Sequence, residues 1–358
     1  MSGPLKEAGS GHTDLDDTPV VTIDLDVMEE NIQRMQALCD ECGVALRPHV
    51  KTHKTPEIAK VQLSAGARGI TCQKLGEAEV MAAAGIDDIL ITYNLLGEAK
   101  LRRLKDLARR ARVRVVCDNE PCARALSAAF AGEEALSVLV ECDAGAGRNG
   151  VQTPQEAAEL ARLIQNLPGL RFAGLMFYPI TDRTGEFAQA ALRELEKSGL
   201  KCEVVSTGGT PSAARLRSVP GATEHRAGAY VFNDRLHVEA GWCTWDQCAM
   251  RIRTMVVSRP TPERAILDAG AKTLSSDIFG LKGYGHVVEY PEAVIASLSE
   301  EHGILDLSRC RRKPEVGEVV TVIPNHTCVV TNLHDRLVGL RRGRVETVFH
   351  VQARGLVR

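Results

Sequence analysis

Residues 114–142 read RVVCDNEPCARALSAAFAGEEALSVLVEC, and this stretch decides the fold class. Two apolar, β-branched runs, Arg114–Cys117 and Ser137–Cys142, flank an alanine-rich stretch over Pro121–Phe130. Short apolar runs bounded by polar residues predict buried strands, and the longer stretch between them predicts a helix. Strands that are apolar on both faces and alternate with helices lie parallel in one sheet. The stretch is therefore predicted to form a β-α-β unit of a parallel sheet.

The same unit recurs along the first two thirds of the chain. Strand-like runs alternate with helical stretches rich in alanine, leucine, glutamate and arginine, and the predicted sheet strands are Ala45–Pro48, Gly69–Cys72, Asp88–Thr92, Arg114–Cys117, Ser137–Cys142, Gly174–Phe177, Cys202–Ser206 and Thr223–Ala227. So many parallel strands within about 200 residues fit a closed (β/α)8 TIM-type barrel better than an open sheet.

A second, mainly β unit is predicted for residues 237–358. Turn signals there separate β-branched segments at Cys248–Ser258, Arg264–Asp268, Val319–Ile323, Cys328–Thr331, Leu337–Leu340 and Val345–Val351. The predicted organisation is a flexible leader over residues 1–17, a barrel domain over 18–236 and a C-terminal β domain over 237–358.

The composition excludes several classes of function. The chain of 358 residues has a formal net charge of -2, so no basic surface indicates a nucleic-acid or membrane partner. No apolar run approaches the roughly 20 residues of a membrane helix, and residues 1–17 lack the order of a signal peptide. The 11 cysteines are scattered and odd in number, which indicates reduced thiols. A cytoplasmic protein is expected.

The segment RPHVKTHK (47–54) follows the first predicted barrel strand. Barrel enzymes place their active sites at the C-terminal ends of the strands. A lysine that is desolvated there has a lowered pKa, which favours the neutral amine that a Schiff base needs. By residue type alone Lys51 and Lys54 are equal candidates, and a solvated basic loop is the alternative.

Two further segments are suited to an anionic ligand. In ECDAGAGRNG (141–150), Arg148 offers a planar fork of donors to an anionic oxygen, against the alternative of a tight turn with a surface arginine. STGGTPS (206–212) follows the seventh barrel strand, where barrels often bind phosphate, and its free amides suit an anion. RAGAY (226–230) adds backbone amides and the phenol of Tyr230. A glycine-rich turn is the alternative.

PNHTC (324–328) contains two residue types that bind metals. If the segment is a strand, His326 and Cys328 point to the same face, because side chains alternate along a strand. An imidazole and a thiolate form half of a tetrahedral zinc site. Water, substrate or another residue would fill the other positions, and a catalytic metal needs such an open coordination sphere. The pair alone is a weak signal.

Together and in this order, these segments resemble the D-threonine aldolase and D-serine dehydratase family of alanine-racemase-like, fold-type III pyridoxal-phosphate (PLP) enzymes. The resemblance runs from about residue 18 to the C-terminus. It rests on six motifs, namely RPHVKTHKTPEIA (47–59), DAGAGRNGV (143–151), STGGTPS (206–212), RAGAYVFND (226–234), LDAGAKTLSSD (267–277) and PNHTCVVTNLHD (324–335). It implies a PLP-binding barrel with a C-terminal β domain, assembled as a homodimer with the active site near the subunit interface.

The resemblance also implies a role for individual residues. Lys51 would bind the cofactor, Arg148 would contact its ring oxygen, and Tyr178 would lie near its pyridine ring. His326 and Cys328 would be catalytic metal ligands for zinc or manganese, with the thiolate favouring zinc. The implied phosphate-binding residues are Thr207, Gly208, Gly209, Thr210, Gly228 and Tyr230.

The reaction implied is a lyase reaction on a small β-hydroxy-D-amino acid. Aldolase cleavage to glycine and an aldehyde is favoured, because VIPNHTCVVTNLHD resembles the bacterial aldolase-like branch. The alternative is a D-serine or D-threo-3-hydroxyaspartate dehydratase that releases a 2-oxo acid and ammonia, since several dehydratases carry H-x-C, as this chain does at His326 and Cys328, where aldolases often carry H-x-D. Less favoured are a PLP carrier, which lacks the β domain, and a racemase that uses Tyr284 as a second base.

Overall fold

The structure, a computed structural model, describes residue 15 and residues 17–358. The leader predicted for residues 1–17 thus lies almost entirely outside the described residues. The first described strand, β1, spans Val20–Asp24, and the strands of the described residues form two separate sheets. Within the described part of the chain, no helix is long and apolar enough to cross a membrane.

The first sheet has eight strands, all parallel, in the order β2-β9-β8-β7-β6-β5-β4-β3. Its strands are β2 (Ala45–Leu46), β3 (Ile70–Cys72), β4 (Asp88–Ile91), β5 (Arg112–Cys117), β6 (Leu136–Cys142), β7 (Leu170–Phe177), β8 (Val204–Gly208) and β9 (Glu224–Arg226). The helices that alternate with them are α1 (Leu25–Glu41), α2 (Pro56–Ser64), α3 (Leu75–Ala83), α4 (Glu98–Ala108), α5 (Glu120–Phe130), α6 (Pro154–Asn166) and α7 (Thr184–Lys197).

The sheet curls until its two outer strands meet. The Thr71 amide donates to the Pro48 carbonyl at 2.7 Å, and the Arg68 amide donates to the Leu46 carbonyl at 2.9 Å. These bonds link the segments around β2 and β3. The predicted eight-stranded TIM-type barrel is confirmed.

Side chains of the strands are buried on both faces, as parallel strands under covering helices require. Along β6, Val138 and Val140 pack in the large core that includes the helices, whereas Leu139 points to the opposite face. That face forms a small separate cluster inside the barrel, made of Leu90, Val116, Leu139, Ala173 and Met176. Continuous apolar runs in the sequence therefore mark strands buried on both sides.

The second sheet has nine strands, and β13-β14-β11-β10-β1-β16-β17 is its main order. β15 also pairs with β10, and β12 pairs with β15. Its strands besides β1 are β10 (Met250–Thr261), β11 (Arg264–Leu267), β12 (His286–Val287), β13 (Val294–Leu298), β14 (Gly303–Asp306), β15 (Val319–Ile323), β16 (Arg336–Arg341) and β17 (Arg344–His350). The remaining helices are α8 (Arg235–Glu239), α9 (Ala271–Leu274) and α10 (Thr327–Leu333).

The strand β1 belongs to the second sheet, although the predicted boundaries place it in the barrel unit of residues 18–236. It pairs antiparallel with β10, where Val21 lies opposite Ile252, and parallel with β16, where Ile23 lies opposite Gly339. Val21 and Ile23 are buried in the core. The chain therefore begins its described part in the second sheet and enters the barrel only afterwards.

The strand predicted over Cys328–Thr331 is wrong, because these residues lie in α10. His326 is extended and precedes the helix, and the Thr327 amide donates to the buried carboxylate of Asp234 at 3.2 Å. A carboxylate at this position accepts a hydrogen bond from an amide of the first turn and interacts favourably with the positive N-terminal end of the helix dipole. This tertiary contact outweighs the strand preference of the β-branched residues.

Candidate active site

A cavity of about 540 Å³ opens beside the C-terminal ends of the barrel strands. Both the barrel loops and the segment around α10 contribute to its wall. The residues relevant to chemistry that line it are His49, Lys51, Tyr178, Gly209, Thr210, Arg226, Gly228, Phe279, His326 and Cys328. An adjoining narrow pocket, which shares Lys51 and Tyr178, is lined by Arg148. Most residues predicted from the sequence therefore meet at one place.

Lys51 and Lys54, equal candidates by residue type, have different environments. A short 3-10 turn over Val50–Thr52 presents Lys51 to the cavity, with its Nζ 5.8 Å from the centroid of the Tyr178 ring. The Lys54 Nζ is buried, lies 3.1 Å from Glu77 Oε1 and donates to the Ala353 carbonyl. Of the two amines, only that of Lys51 is available to a ligand in the cavity.

Arg148 lies over Tyr178 and beside a buried carboxylate. Its Cζ is 4.8 Å from the ring centroid of Tyr178, and its Nη2 is 3.2 Å from Glu141 Oε1. Burial raises the pKa of Glu141 to about 7, although Arg148 opposes the rise. The Asp143 carboxylate holds the loop, because it accepts the Ala146 amide at 2.6 Å and neighbouring amides at longer distances. A planar cation thus lines the adjoining pocket from a well-anchored loop.

Two glycines let the backbone form part of the cavity wall. Gly209 has a φ of +106°, and a Cβ there would lie 2.5 Å from Ser212 Oγ. A Cβ on Gly228 would lie 2.9 Å from Thr52 Oγ1 and 3.2 Å from the carbonyl oxygen of His49. Neither position accepts a side chain without a shift of its neighbours. Backbone that is bare of side chains at both places suits the close approach of a phosphate.

The residues around Lys51 fit a phosphate-bearing aldehyde. The buried Nδ1 of His49 has no hydrogen-bond partner among the described residues, while its Nε2 contacts Gln73 and Thr92. Burial and the neighbouring cation of Lys51 lower the pKa of His49, so the ring is neutral. A buried polar atom without a partner is rare and is expected where a ligand binds. The glycine-lined wall, the Lys51 amine and this atom together match the chemistry of PLP.

Two predicted phosphate-binding side chains do not reach the cavity. The phenol of Tyr230 is buried, and it accepts a hydrogen bond from Gln62 Nε2 at 2.9 Å. The backbone amide of Tyr230 donates to Thr210 Oγ1 at 3.2 Å, so this residue supports the loop from behind. Thr207 Oγ1 lies 2.9 Å from His225 Nδ1 inside the barrel. The expectation of a phenol at the anion site is wrong, because Gln62 holds that group elsewhere.

Gly208 lies between these buried residues and the cavity. A Cβ there would be 3.0 Å from Arg226 Nη2 and 3.1 Å from Tyr178 Cδ2. Its lack of a side chain therefore leaves room for the Tyr178 ring. Gly208 shapes the site through this neighbour, whereas Gly209 and Thr210 line the cavity themselves.

His326 and Cys328 lie close together although they are not on a strand. His326 Nδ1 is 2.8 Å from Asp234 Oδ2, and Cys328 Sγ is 3.2 Å from Thr52 Oγ1. Burial lowers the pKa of His326, but the sulfur of Cys328 and the Asp234 carboxylate outweigh it and raise the pKa to about 11. Burial raises the pKa of Cys328, and the opposing charge of His326 brings it below the usual value. The geometry favours the thiolate form of Cys328.

The pair fits an open metal site. The described residues contain no group of three or more histidine, cysteine, aspartate or glutamate side chains that would hold a metal. The metal would replace the proton on the second ring nitrogen of His326, Nε2. His326 and Cys328 would therefore supply two ligands, with the other positions left to water or substrate. A histidine whose second nitrogen is held by a carboxylate is typical of metal sites, and a thiolate with an imidazole suits zinc. Manganese prefers oxygen ligands, which this pair lacks.

Three residues of the site were not singled out as site residues from the sequence. Asp234 lies in the motif RAGAYVFND and orients His326. Arg226, in the same motif, lines the cavity and donates to the Phe177 carbonyl at 2.9 Å and to Ser206 Oγ. Phe279 follows the motif LDAGAKTLSSD, and its ring centroid is 5.2 Å from that of His326. The quoted motifs contain or adjoin all three, but only the fold brings Arg226 and Phe279 to the cavity and Asp234 behind His326.

Two family models together match most of the chain. The model described as alanine racemase, N-terminal domain, matches residues 23–235, and a serine dehydratase domain model matches residues 249–340. The chain is 37% identical to a D-threonine aldolase of Arthrobacter sp, with 96% of the chain and 94% of that protein covered. It is 34% identical to a 3-hydroxy-D-aspartate aldolase of Paracoccus denitrificans, with coverages of 94% and 92%.

Solved structures give the same result. A D-threonine aldolase from Filomicrobium marinum superposes with a TM-score of 0.87 at 34% identity, covering 96% of this chain and 97% of that one. The D-threo-3-hydroxyaspartate dehydratase from Delftia sp. HT23 gives a TM-score of 0.85 at 32% identity, with coverages of 94% and 97%. The chain therefore belongs to the D-threonine aldolase and D-serine dehydratase family, the PLP-dependent lyases with the alanine-racemase fold.

Proposed function

We propose that this protein is a PLP- and divalent-metal-dependent aldolase that cleaves a β-hydroxy-D-amino acid such as D-threonine into glycine and an aldehyde. The observation that carries the proposal is that Lys51, the backbone at Gly209 and Gly228, and the pair His326 and Cys328 line one cavity. The identity of 37% to a D-threonine aldolase over 96% of the chain supports the choice of reaction.

The cofactor and the metal would supply distinct chemistry at this cavity. When bound, PLP supplies an electron sink for the pair of electrons released at the substrate Cα. A metal ion supplies a Lewis acid next to the β-hydroxyl. Lys51 would hold the first group, and His326 and Cys328 would hold the second.

The residues of the chain have complementary tasks in this proposal. Cleavage of the Cα–Cβ bond requires loss of the β-hydroxyl proton and delivery of a proton to Cα. The Lys51 Nζ is the amine that faces the cavity and is suited to move a proton at Cα. Asp234 keeps the His326 ring in one orientation through the contact of 2.8 Å to Nδ1. Arg148 and Tyr178 would border the cofactor ring, since they stack at 4.8 Å beside Lys51.

Dehydration to a 2-oxo acid and ammonia is the second candidate, and Cys328 favours it. The chain is 33% identical to the D-threo-3-hydroxyaspartate dehydratase of Delftia sp.. Solved variants of a dehydratase of that name have alanine in place of a histidine and of a cysteine two positions apart, and the cysteine variant is in a metal-free form. His326 and Cys328 have the same spacing. In this reaction Lys51 would remove the α-proton, and the hydroxyl would depart.

A product assay distinguishes the two reactions. Purified protein is incubated with D-threonine, PLP and either zinc or manganese. Glycine with acetaldehyde is expected and would establish the aldolase. 2-Oxobutanoate with ammonia would replace the aldolase by the dehydratase. No product from any β-hydroxy-D-amino acid, despite bound PLP, would contradict both.

Replacement of Lys51 by alanine tests the part that both reactions share. We expect loss of the Schiff-base absorbance of the bound cofactor and a fall in turnover of about 10²–10⁴-fold or more, because the amine serves both the cofactor and the proton. Lys60→Ala is the matched control, since Lys60 is exposed on α2 outside the cavity. A Lys51→Ala variant that keeps the absorbance and the turnover would contradict the assignment.

A further inference from the structure

The part of the cavity around His326 has an apolar wall. Phe279, Leu236, Ala240 and Ile180 all line the cavity together with His326. They come from three separate segments: the loop after α9, the helix α8 with the residue that follows it, and the loop after β7. None of them contacts the predicted cofactor residues through a polar group. The proposed function assigns no role to this apolar wall.

Phe279 is the member of the wall whose ring contacts His326 of the proposed metal pair. Its ring packs edge-on against the His326 ring, with an interplanar angle of 74°. Phe279 is 50% exposed, so its ring is open to a ligand in the cavity. Its φ of 48° is in the left-handed region, which bulky residues rarely occupy and which is retained mainly at functional sites.

The loop that carries Phe279 is tied to the residue preceding His326. The side-chain amide of Asn325 donates to the Asp277 carbonyl at 3.1 Å and to the Gly283 carbonyl at 2.8 Å. Asn325 is buried, so these bonds are shielded from water. The loop that carries Phe279 is therefore anchored on both sides of this residue to the segment that contains His326.

Two arginines that line the same cavity already have partners within the chain. Arg226 donates to the Phe177 carbonyl and to Ser206. Arg215 pairs with Asp182 at the exposed edge of the cavity. Lys51 would be occupied by the cofactor. A carboxylate placed against the Phe279 ring would lose water, and the ring offers it no hydrogen-bond donor in exchange, which is costly.

We infer that Phe279, with Leu236, Ala240 and Ile180, forms the subsite for the substrate group attached to the β-carbon, and that it selects methyl or phenyl over carboxylate. The inference rests on the proposed function, which places the β-hydroxyl at His326 and Cys328. The hydroxyl and the side chain are bonded to the same carbon, so the side chain must lie beside that pair. Phe279 is the residue that occupies the adjoining wall.

The chemical consequence is a ranking of substrates. D-Threonine and β-phenyl-D-serine are expected to be better substrates than D-threo-3-hydroxyaspartate. A phenyl group would pack against the Phe279 ring, whereas a carboxylate would be desolvated there. Contacts of this kind change kcat/KM by about 10–200-fold. The substrate of this chain would then differ from that of the relative named as a 3-hydroxy-D-aspartate aldolase.

The test compares the ratio of kcat/KM for β-phenyl-D-serine to that for D-threo-3-hydroxyaspartate in the holoenzyme. The wild type is expected to give a ratio above about ten. Phe279→Ala should lower the ratio at least about tenfold, and Phe279→Arg should reverse the preference. Ile278→Ala is the matched control, because Ile278 is the exposed neighbour in the same loop and does not line the cavity.

A binding measurement makes the inference independent of turnover. Titration calorimetry of the holoenzyme with D-phenylalanine and D-aspartate, which lack the β-hydroxyl, should show tighter binding of D-phenylalanine. Phe279→Ala should abolish that difference. Wild-type preference for the aspartate compounds, or an equal loss for all substrates in Phe279→Ala, would overturn the subsite while leaving the proposed function intact. If no hydroxy amino acid is cleaved, the proposed function fails and the binding preference alone decides on the subsite.

Discussion

Asp234 is a carboxylate that three parts of the chain share. Its Oδ2 contacts His326 Nδ1 at 2.8 Å and accepts the Thr327 amide at 3.2 Å, while its Oδ1 accepts the His237 amide at 3.1 Å. It thus caps α8, supports the start of α10 and orients one ligand of the proposed metal site. A buried negative charge with several donors is stable, and His326 and the other donors keep the pKa of Asp234 low despite burial.

Replacing Asp234 with asparagine should weaken metal binding by about 10–100-fold, as is usual when the carboxylate behind a metal-bound histidine is removed. Asparagine is as good a cap as aspartate, so α8 should remain folded. Affinity is measured by competition with a chelator, with Asp246→Asn as the control because Asp246 is exposed. Equal affinity in Asp234→Asn and the wild type would show that Asp234 has no role at the metal.

The motifs and the resemblance selected the candidate residues but did not orient their side chains. Lys51 and Lys54 are separated only by tertiary contacts, since Glu77 binds the second amine. The Tyr230 phenol is directed away from the cavity by Gln62, which is 168 positions earlier in the chain. The spacing of His326 and Cys328 identified the pair for a mistaken reason, because a helix start and not a strand brings them together. The orientation of these side chains therefore depends on partners that are distant in sequence.

At the scale of elements, the barrel strands were predictable and several strands of the second sheet were not. The parallel strands are buried on both faces, so each is a compact apolar run that stands out from its flanking helices. In contrast, β13 and β14 are only partly buried and carry weaker signals. The helix α10 contains Val329, Val330 and Thr331, which favour strands, and only the contact with Asp234 explains its start.

A buried ion cluster joins four barrel strands. Arg47, next to the end of β2, lies 2.9 Å from Glu224 Oε2 on β9 and 2.7 Å from Asp88 Oδ1 on β4. Arg114 on β5 adds a contact of 3.3 Å to Asp88. Burial raises the pKa values of Glu224 and Asp88, but Arg47 and Arg114 outweigh it and hold both below the usual range. The cluster therefore favours folding at neutral pH.

Replacing Arg47 with alanine should lower the free energy of unfolding by about 3–5 kcal/mol, because two carboxylates lose their buried partner. Carboxyl groups whose pKa is lowered by folding stabilise the folded protein at pH values above their unfolded pKa, which is 4.5 for Glu224 and 3.8 for Asp88. This stabilisation is lost as the pH falls through the lower pKa values of the folded state. The deficit of the variant should therefore be largest near neutrality and should shrink on acidification.

Urea unfolding at two pH values checks this prediction, with Arg112→Ala as the control. Arg112 also approaches Asp88, at 3.7 Å, but its side chain is 77% exposed, so its loss should have little effect. A deficit in Arg47→Ala that does not change with pH would mean that lost packing, and not the carboxylates, causes it.

At the scale of the molecule, the second sheet is assembled from both ends of the described chain. β1 pairs with β10 on one side and with β16 on the other, so the sheet is incomplete without residues that precede the barrel. Local sequence patterns assign β1 to the barrel because it adjoins α1 in sequence. The sheet to which β1 belongs is decided by its pairing with β10, more than 200 positions later in the chain, and a local sequence pattern does not show such a pairing.

Replacing Ile23 with alanine should therefore destabilise the second sheet. Ile23 is fully buried, and such truncations cost about 2–5 kcal/mol. The two tryptophans of the chain, Trp242 and Trp245, pack against a cluster that includes Ile323 of β15, so their fluorescence reports on this region. We expect the urea midpoint of that signal to fall in Ile23→Ala and to change little in Val20→Ala, whose side chain is only half-buried. If instead the cofactor absorbance is lost first while the tryptophan transition stays in place, β1 stabilises the barrel and not the second sheet.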